Sequence, residues 1–145
     1  MAIARPVDRR LFFLLDRTHA QLSKSADAHL KKVCGIGSSQ AAVLIYLGFH
    51  DNCSLSELAD GVGRNNSAIT GLVDRMESSG LVERKSGSTD RRSKTVNLTD
   101  TGWVLRQKVT DGFRDFNDRL SRGMTGSELD AVLKFLTLAT ENVSE

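Results

Sequence analysis

Apolar residues recur every three to four positions over most of this chain, and every second position in one short stretch. From about Asp8 to Val33, Leu11, Leu14, Leu15, Thr18, Leu22, Ala26 and Val33 fall on one side of a helical wheel. Gly35 and Gly37 stop that helix. A short apolar helix follows from Ser38 to about Phe49, with Gln40 three residues after Gly37 as a weakened capping box. His50-Asp51-Asn52 reads as a loop. Ser54-Leu55-Ser56-Glu57 is a full capping box and opens a helix through Leu58, Ala59 and Val62, closed by Gly61 and Gly63. Asn65 is the next N-cap. Beyond it Ile69, Leu72, Val73 and Met76 form one apolar stripe, while Ser67, Thr70, Gly71 and Asp74 face away from it. Gly80 is the glycine expected just past the end of that helix.

The period then drops to two. Residues 81–85 and 94–98 read as strands of a hairpin, joined by the polar, basic stretch 86–93. Thr99 caps a long helix through Leu105, Val109, Phe113, Phe116 and Leu120, which Gly123 ends. Thr125 and Glu128 form a second capping box. In the last helix Leu129, Val132, Leu133 and Leu136 share one face, and Ala131, Phe135 and Leu138 the opposite one. A small helix apolar on two faces needs burial on both, which points to a second chain.

At 145 residues the chain is one domain's worth of sequence. Its 39% hydrophobic and 26% charged residues place it among globular proteins. No apolar run reaches the ~18 residues of a membrane helix. The first ten residues hold no apolar stretch suited to a secretory signal, so a cytoplasmic location is expected. Two cysteines, Cys34 and Cys53, cannot build a disulfide framework. His19, His29 and His50 stand apart at no metal-ligand spacing, so no metal and no cofactor is expected. An enzyme is disfavoured, because the chain has neither a Cys-x-x-Cys nor a glycine-rich phosphate loop. Net charge is only +2, but residues 64–94 carry seven Lys/Arg against four acids, a local footprint suited to nucleic acid.

Three short helices followed by a hairpin with a basic tip is the order of a winged helix-turn-helix. The expected fold is therefore mainly α with a small β-hairpin wing. Asn65, Asn66, Ser67, Thr70 and Gly71 give one helix a small polar face able to lie in a major groove, where Asn, Ser and Thr can bond base edges. Asp90, Arg91 and Arg92 place charge at the wing tip, and Arg64, Arg84, Lys85 and Lys94 are candidate phosphate partners.

The runs GIGSSQAAVLIYL, SLSELADGVGRNNSAITGLVDRMESSGLVERK and STDRRSKTVNLTDTG, in this order and spacing, resemble the MarR-type (multiple antibiotic resistance) regulators. The resemblance covers nearly the whole chain. It implies a winged helix-turn-helix lobe at 36–99 and dimerisation helices at 1–35 and 100–145. It also implies an obligate homodimer on a pseudo-palindromic double-stranded operator, usually as a repressor. In the family the wing carries Asp-x-Arg, matched by Asp90 and Arg92, with the Arg in the minor groove and the Asp orienting it. The chain departs from the family at Gly71, Arg64, Gly37 and Trp103. Some relatives sense oxidants through a cysteine early in the first helix; neither Cys34 nor Cys53 lies there, and buried inert thiols are expected. Phe12, Phe13, Tyr46, Phe49 and Trp103 are candidates to line a pocket for a small aromatic or lipophilic effector. The alternative is a constitutive or architectural DNA binder that answers to no ligand.

Overall fold

The computed structural model describes residues 9–86 and 94–144. In chain order the elements are α1 (Leu11–Cys34), α2 (Ser38–Leu47), β1 (Cys53–Ser54), α3 (Leu55–Val62), α4 (Asn66–Ser78), β2 (Val82–Ser86), β3 (Lys94–Leu98), α5 (Asp100–Leu120) and α6 (Gly126–Val143). The sheet is antiparallel in the order β1-β3-β2. The chain divides into two compact units, Met1–Phe113 and Arg114–Glu145, with the boundary inside α5. No described helix is long and apolar enough to cross a membrane.

The six helices and the hairpin strands follow the sequence pattern closely. The Ser54–Glu57 and Thr125–Glu128 capping boxes form in both directions, and Asn65 Oδ1 accepts from the Ala68 N–H at 2.8 Å. Three details differ. The strand β1 is only two residues long, too short to show a period; it pairs Cys53 with Val96 and Ser54 with Thr95. The helix α2 ends at Leu47, because the next N–H groups turn back: Phe49 to the Tyr46 carbonyl and His50 to that of Leu47. Gly37 carries no capping side chain, and Gln40 completes no box. Instead Asp27 of α1 accepts from the Ser38 N–H at 2.9 Å and from the Ser38 hydroxyl at 3.2 Å. The Lys31 ammonium, 2.8 Å from Asp27, and then these Ser38 bonds hold the carboxyl below its ordinary pKa.

The core of the larger unit gathers Leu44 and Leu47 of α2, Leu58 of α3, Ile69, Val73 and Met76 of α4, and Val82 and Val96 of the sheet, all buried. The four-residue stripe of α4 is thus the helix's inner face. Burying such a side chain is worth roughly 1.5–3 kcal/mol each, which outweighs the weak helix propensity of Asn66, Thr70 and Gly71. The stripe of α1 behaves differently. Only Leu30 of that helix is buried, while Leu11 is 55% exposed and Leu15 and Val33 also stay open to solvent. No residue of α6 is buried, and both its apolar faces are open, with Leu133 54% and Phe135 37% exposed.

The end of α4 is a Schellman turn. The Gly80 N–H donates to the Glu77 carbonyl and the Leu81 N–H to that of Met76, with Gly80 at φ 75°. The start of α5 docks on this turn. The Thr99 N–H donates to the Leu81 carbonyl, its hydroxyl donates to the Gly80 carbonyl, and the same hydroxyl caps the Gly102 N–H. A Cβ at residue 102 would lie 2.1 Å from the Leu81 carbonyl oxygen, so glycine is the residue that permits this approach. Gly102→Ala is therefore expected to cost at least ~1–3 kcal/mol, as overpacking against fixed backbone does. Gly126→Ala, which meets open space, should leave stability nearly unchanged. Urea denaturation of the two variants checks the contrast, and equal midpoints would contradict the docking.

Candidate nucleic-acid interface

The outer face of α4 carries the polar residues that the pattern assigns to it. Asn65, Asn66, Ser67 and Thr70 are exposed, and Gly71 is half-buried between them and the core. Two of these groups already have work within the helix. The Asn65 side-chain oxygen is the N-cap, and the Thr70 hydroxyl donates to the Asn66 carbonyl at 2.8 Å. Thr70 Oγ1 is thereby oriented with its lone pairs outward, ready to accept from a base amino group.

The basic residues separate into engaged and open ones. Arg84, expected as a phosphate partner, reaches back across its own fold. Its Nη2 lies 2.5 Å from Asp74 Oδ1, and its Nη1 bonds Glu77 Oε2. Asp74 first, and Glu77 with it, hold the guanidinium pKa above its ordinary value. The side chain is 17% exposed and joins the recognition helix to β2, the strand that leads into the wing. Its charge is neutralised within the protein, which removes the reason to expect it at a phosphate. Lys85 pairs with Glu83 at 3.1 Å but is itself largely exposed. Lys94 is exposed opposite Ser86 at the mouth of the hairpin. Arg64 donates from Nη2 to Ser39 Oγ at 2.7 Å. Arg75 lines an open cleft with Arg64, Ser39, Ser67 and Gly71. Asp90, Arg91 and Arg92 lie outside the described residues.

The MarR family model matches residues 36–94, from the end of α1 to the far side of the hairpin. The organic hydroperoxide resistance transcriptional regulator of Bacillus subtilis is 28% identical over 105 residues, covering 72% of this chain and 71% of that protein. The HTH-type transcriptional repressor IacR of Pseudomonas putida is 25% identical over 132 residues, covering 91% of this chain and 78% of that protein. Among solved structures, the S. aureus MepR–DNA complex aligns with a TM-score of 0.83 at 21% identity over 94% of this chain and all of that one. Over residues 36–94 the chain matches the MarR family, and its fold is the MarR-like winged helix-turn-helix.

In this MarR-like fold the five aromatic side chains expected at an effector pocket divide into three groups. Phe12 and Phe13 meet edge-to-face, with centroids 5.7 Å apart, and both are largely exposed on α1. Tyr46 stacks on His50 at 4.1 Å. Phe49 and Trp103 are brought together by Arg106, whose guanidinium carbon lies 4.9 Å from the first ring centroid and 5.5 Å from the second. The sequence gives no sign of this last cluster, because Arg106 is an ordinary polar position of α5. Its Nε is buried without a hydrogen-bond partner among the described residues. A Cβ at Gly48 would sit 1.8 Å from that nitrogen, so glycine makes room for the guanidinium.

Cys53 is buried in β1, and its thiol is pushed up from an ordinary 9.0 to about 11, chiefly by burial and then by the Glu57 carboxylate. Burial also raises the Cys34 thiol, against a smaller opposing pull from Lys108. A raised folded-state pKa favours the folded protein below the unfolded value and is lost as pH climbs through the folded one. Stability should therefore fall between pH 9 and about pH 11, and Cys53→Ala should remove that part of the fall; denaturant titrations across this range measure it. The Arg84 clamp makes a separate expectation. A double-mutant cycle on Asp74 and Arg84 should give a coupling of about 0.2–1 kcal/mol, and Arg84→Ala should leave the salt dependence of DNA binding unchanged. A shallower salt slope would instead put Arg84 at a phosphate.

Proposed function

We propose that this protein is a homodimeric repressor that binds a pseudo-palindromic operator and releases it when a small molecule binds. One observation carries the reading. The recognition helix α4 buries all four of its apolar stripe residues and turns Asn66, Ser67 and Thr70 outward, beside the open charges of Arg64 and Arg75. That face has the size and hydrogen-bonding chemistry of a major-groove reader. The MepR fold match is to a protein held on DNA, and IacR is named a repressor, which favours the same role here. Asp90, Arg91 and Arg92 would bring the wing to the adjacent groove, with Lys85 and Lys94 contacting phosphate at its base. The open apolar faces of α1 and α6 support the homodimer, because a lone chain would leave them in water. The cytoplasm is where such a regulator meets its operator.

The effector reading rests on the Phe49–Arg106–Trp103 cluster, which offers an aromatic acid two ring faces and a positive charge. A ligand that prefers a dimer with mismatched separation of its two recognition helices competes with DNA by linkage, and a coupling of ~1–3 kcal/mol suffices. If aromatic acids bind the free dimer and leave operator affinity unchanged, the constitutive binder is the correct description.

Four outcomes are expected. Sedimentation should give a dimer at micromolar concentration. Operator affinity should fall by ~10³–10⁵ between 50 and 200 mM salt, for six to ten phosphate contacts per dimer. The operator should present two half-sites ~34–36 Å apart. Arg92→Ala in a folded dimer should cost roughly 1–3 kcal/mol of binding, with Asp90→Ala costing less. Fluorescence anisotropy on a duplex selected in vitro by the wild-type protein measures all the binding terms; a monomer, or a flat salt response, would overturn the reading.

A further inference from the structure

Two positions that depart from the family pattern, Arg64 just before α4 and Gly71 within it, meet in space. They border an open cleft of about 250 Å³ together with Ser39, Ser67, Leu72 and Arg75. Leu72, buried, and Ala68 supply an apolar wall, and Ser39, Ser67, Arg64 and Arg75 supply the polar and cationic lining. The two arginines differ from Arg84 in one decisive respect. Neither forms an ion pair with a carboxylate among the described residues, whereas Arg84 holds two. Arg64 is instead positioned by the Ser39 hydroxyl, which takes one of its five donors and leaves the others open. Arg75 lies beside the bare backbone at residue 71: a Cβ there would make ordinary contact with Arg75 Nη1 at 3.6 Å. A branched or long side chain at residue 71 would project toward the space that the two guanidinium groups border.

We propose that this cleft is the seat of one DNA backbone phosphate, gripped between Arg64 and Arg75, and that Gly71 keeps it open. The proposal rests on the DNA-binding reading above and adds a specific anchoring site to it. Two planar guanidinium groups with free donors suit a phosphodiester oxygen pair better than they suit a base edge. A side chain longer than alanine at residue 71 would reach into this space, whereas an alanine Cβ would make only ordinary contact with Arg75. Because α4 also presents Ser67 and Thr70, a phosphate held here fixes the depth and register at which those hydroxyls meet the bases.

The test uses the full-length dimer and the duplex that the wild-type protein selects in vitro. Arg64→Ala and Arg75→Ala are each expected to weaken binding about tenfold, uniformly across duplex sequences. Each seat lost should make the log–log salt slope shallower by roughly 0.9, so about 1.8 for the two seats of a dimer. Gly71→Leu should match the arginine variants in affinity while circular dichroism melting and the dimer are unchanged. Gly71→Ala, whose Cβ makes only ordinary contact, should bind as wild type and melts no lower. A scan of single methylphosphonates along the duplex should find one neutralised phosphate per half-site that weakens the wild type but not the Arg64→Ala/Arg75→Ala double variant. Wild-type affinity and slope in that folded double variant would overturn the seat and leave the DNA-binding reading standing. Failure of the wild type to bind any duplex in a salt-dependent way would overturn both.

Discussion

The backbone of Gly80 and Leu81 is where the recognition helix, the wing and the long helix are tied together. The Leu81 N–H closes α4 onto Met76, and its carbonyl receives the Thr99 N–H. Thr99 spends its hydroxyl twice, on the Gly80 carbonyl and on the first turn of α5. Gly102 lets that turn come within contact of the same carbonyl. Three elements therefore share one set of hydrogen bonds around two residues. Their relative directions are set by backbone groups that have no other partners once buried, and such groups are expensive to leave unpaired.

Arg84 extends this junction to the side chains. It sits opposite Val96, two residues along β2 from the buried Val82, and reaches two carboxylates one helical turn apart on α4. The result holds β2 against α4. Its single positive charge offsets one of the two carboxylate charges on that helix. Charge on this surface is thus sorted: the acids of α4 share one internal arginine, and the unmatched arginines, Arg64 and Arg75, flank the polar face.

The apolar surface is distributed just as unevenly. The core of the larger unit is closed by α2, α3, α4 and the sheet, while α1 and α6 keep long apolar faces in solvent. Exposed leucines are common singly, but contiguous stripes on two helices are a feature of chains that associate. The open apolar faces and the polar face of α4 therefore lie on different elements.

Most of the elements were legible in the sequence because local rules decided them. The capping boxes at Ser54 and Thr125, the Asn65 cap, the Gly80 turn and the switch of period at the hairpin all act over about six residues or fewer. The polar face of α4 followed from the same periodicity. Long-range contacts were not legible. Asp27 capping α2, β1 pairing with β3, Arg84 turning inward and Arg106 lodging between Phe49 and Trp103 each join residues that no window of sequence connects. The sequence alone established that residues 64–94 are rich in arginine and lysine. Only the tertiary structure decided which of those charges are spent, because a guanidinium pairs with whichever carboxylate folding brings within reach.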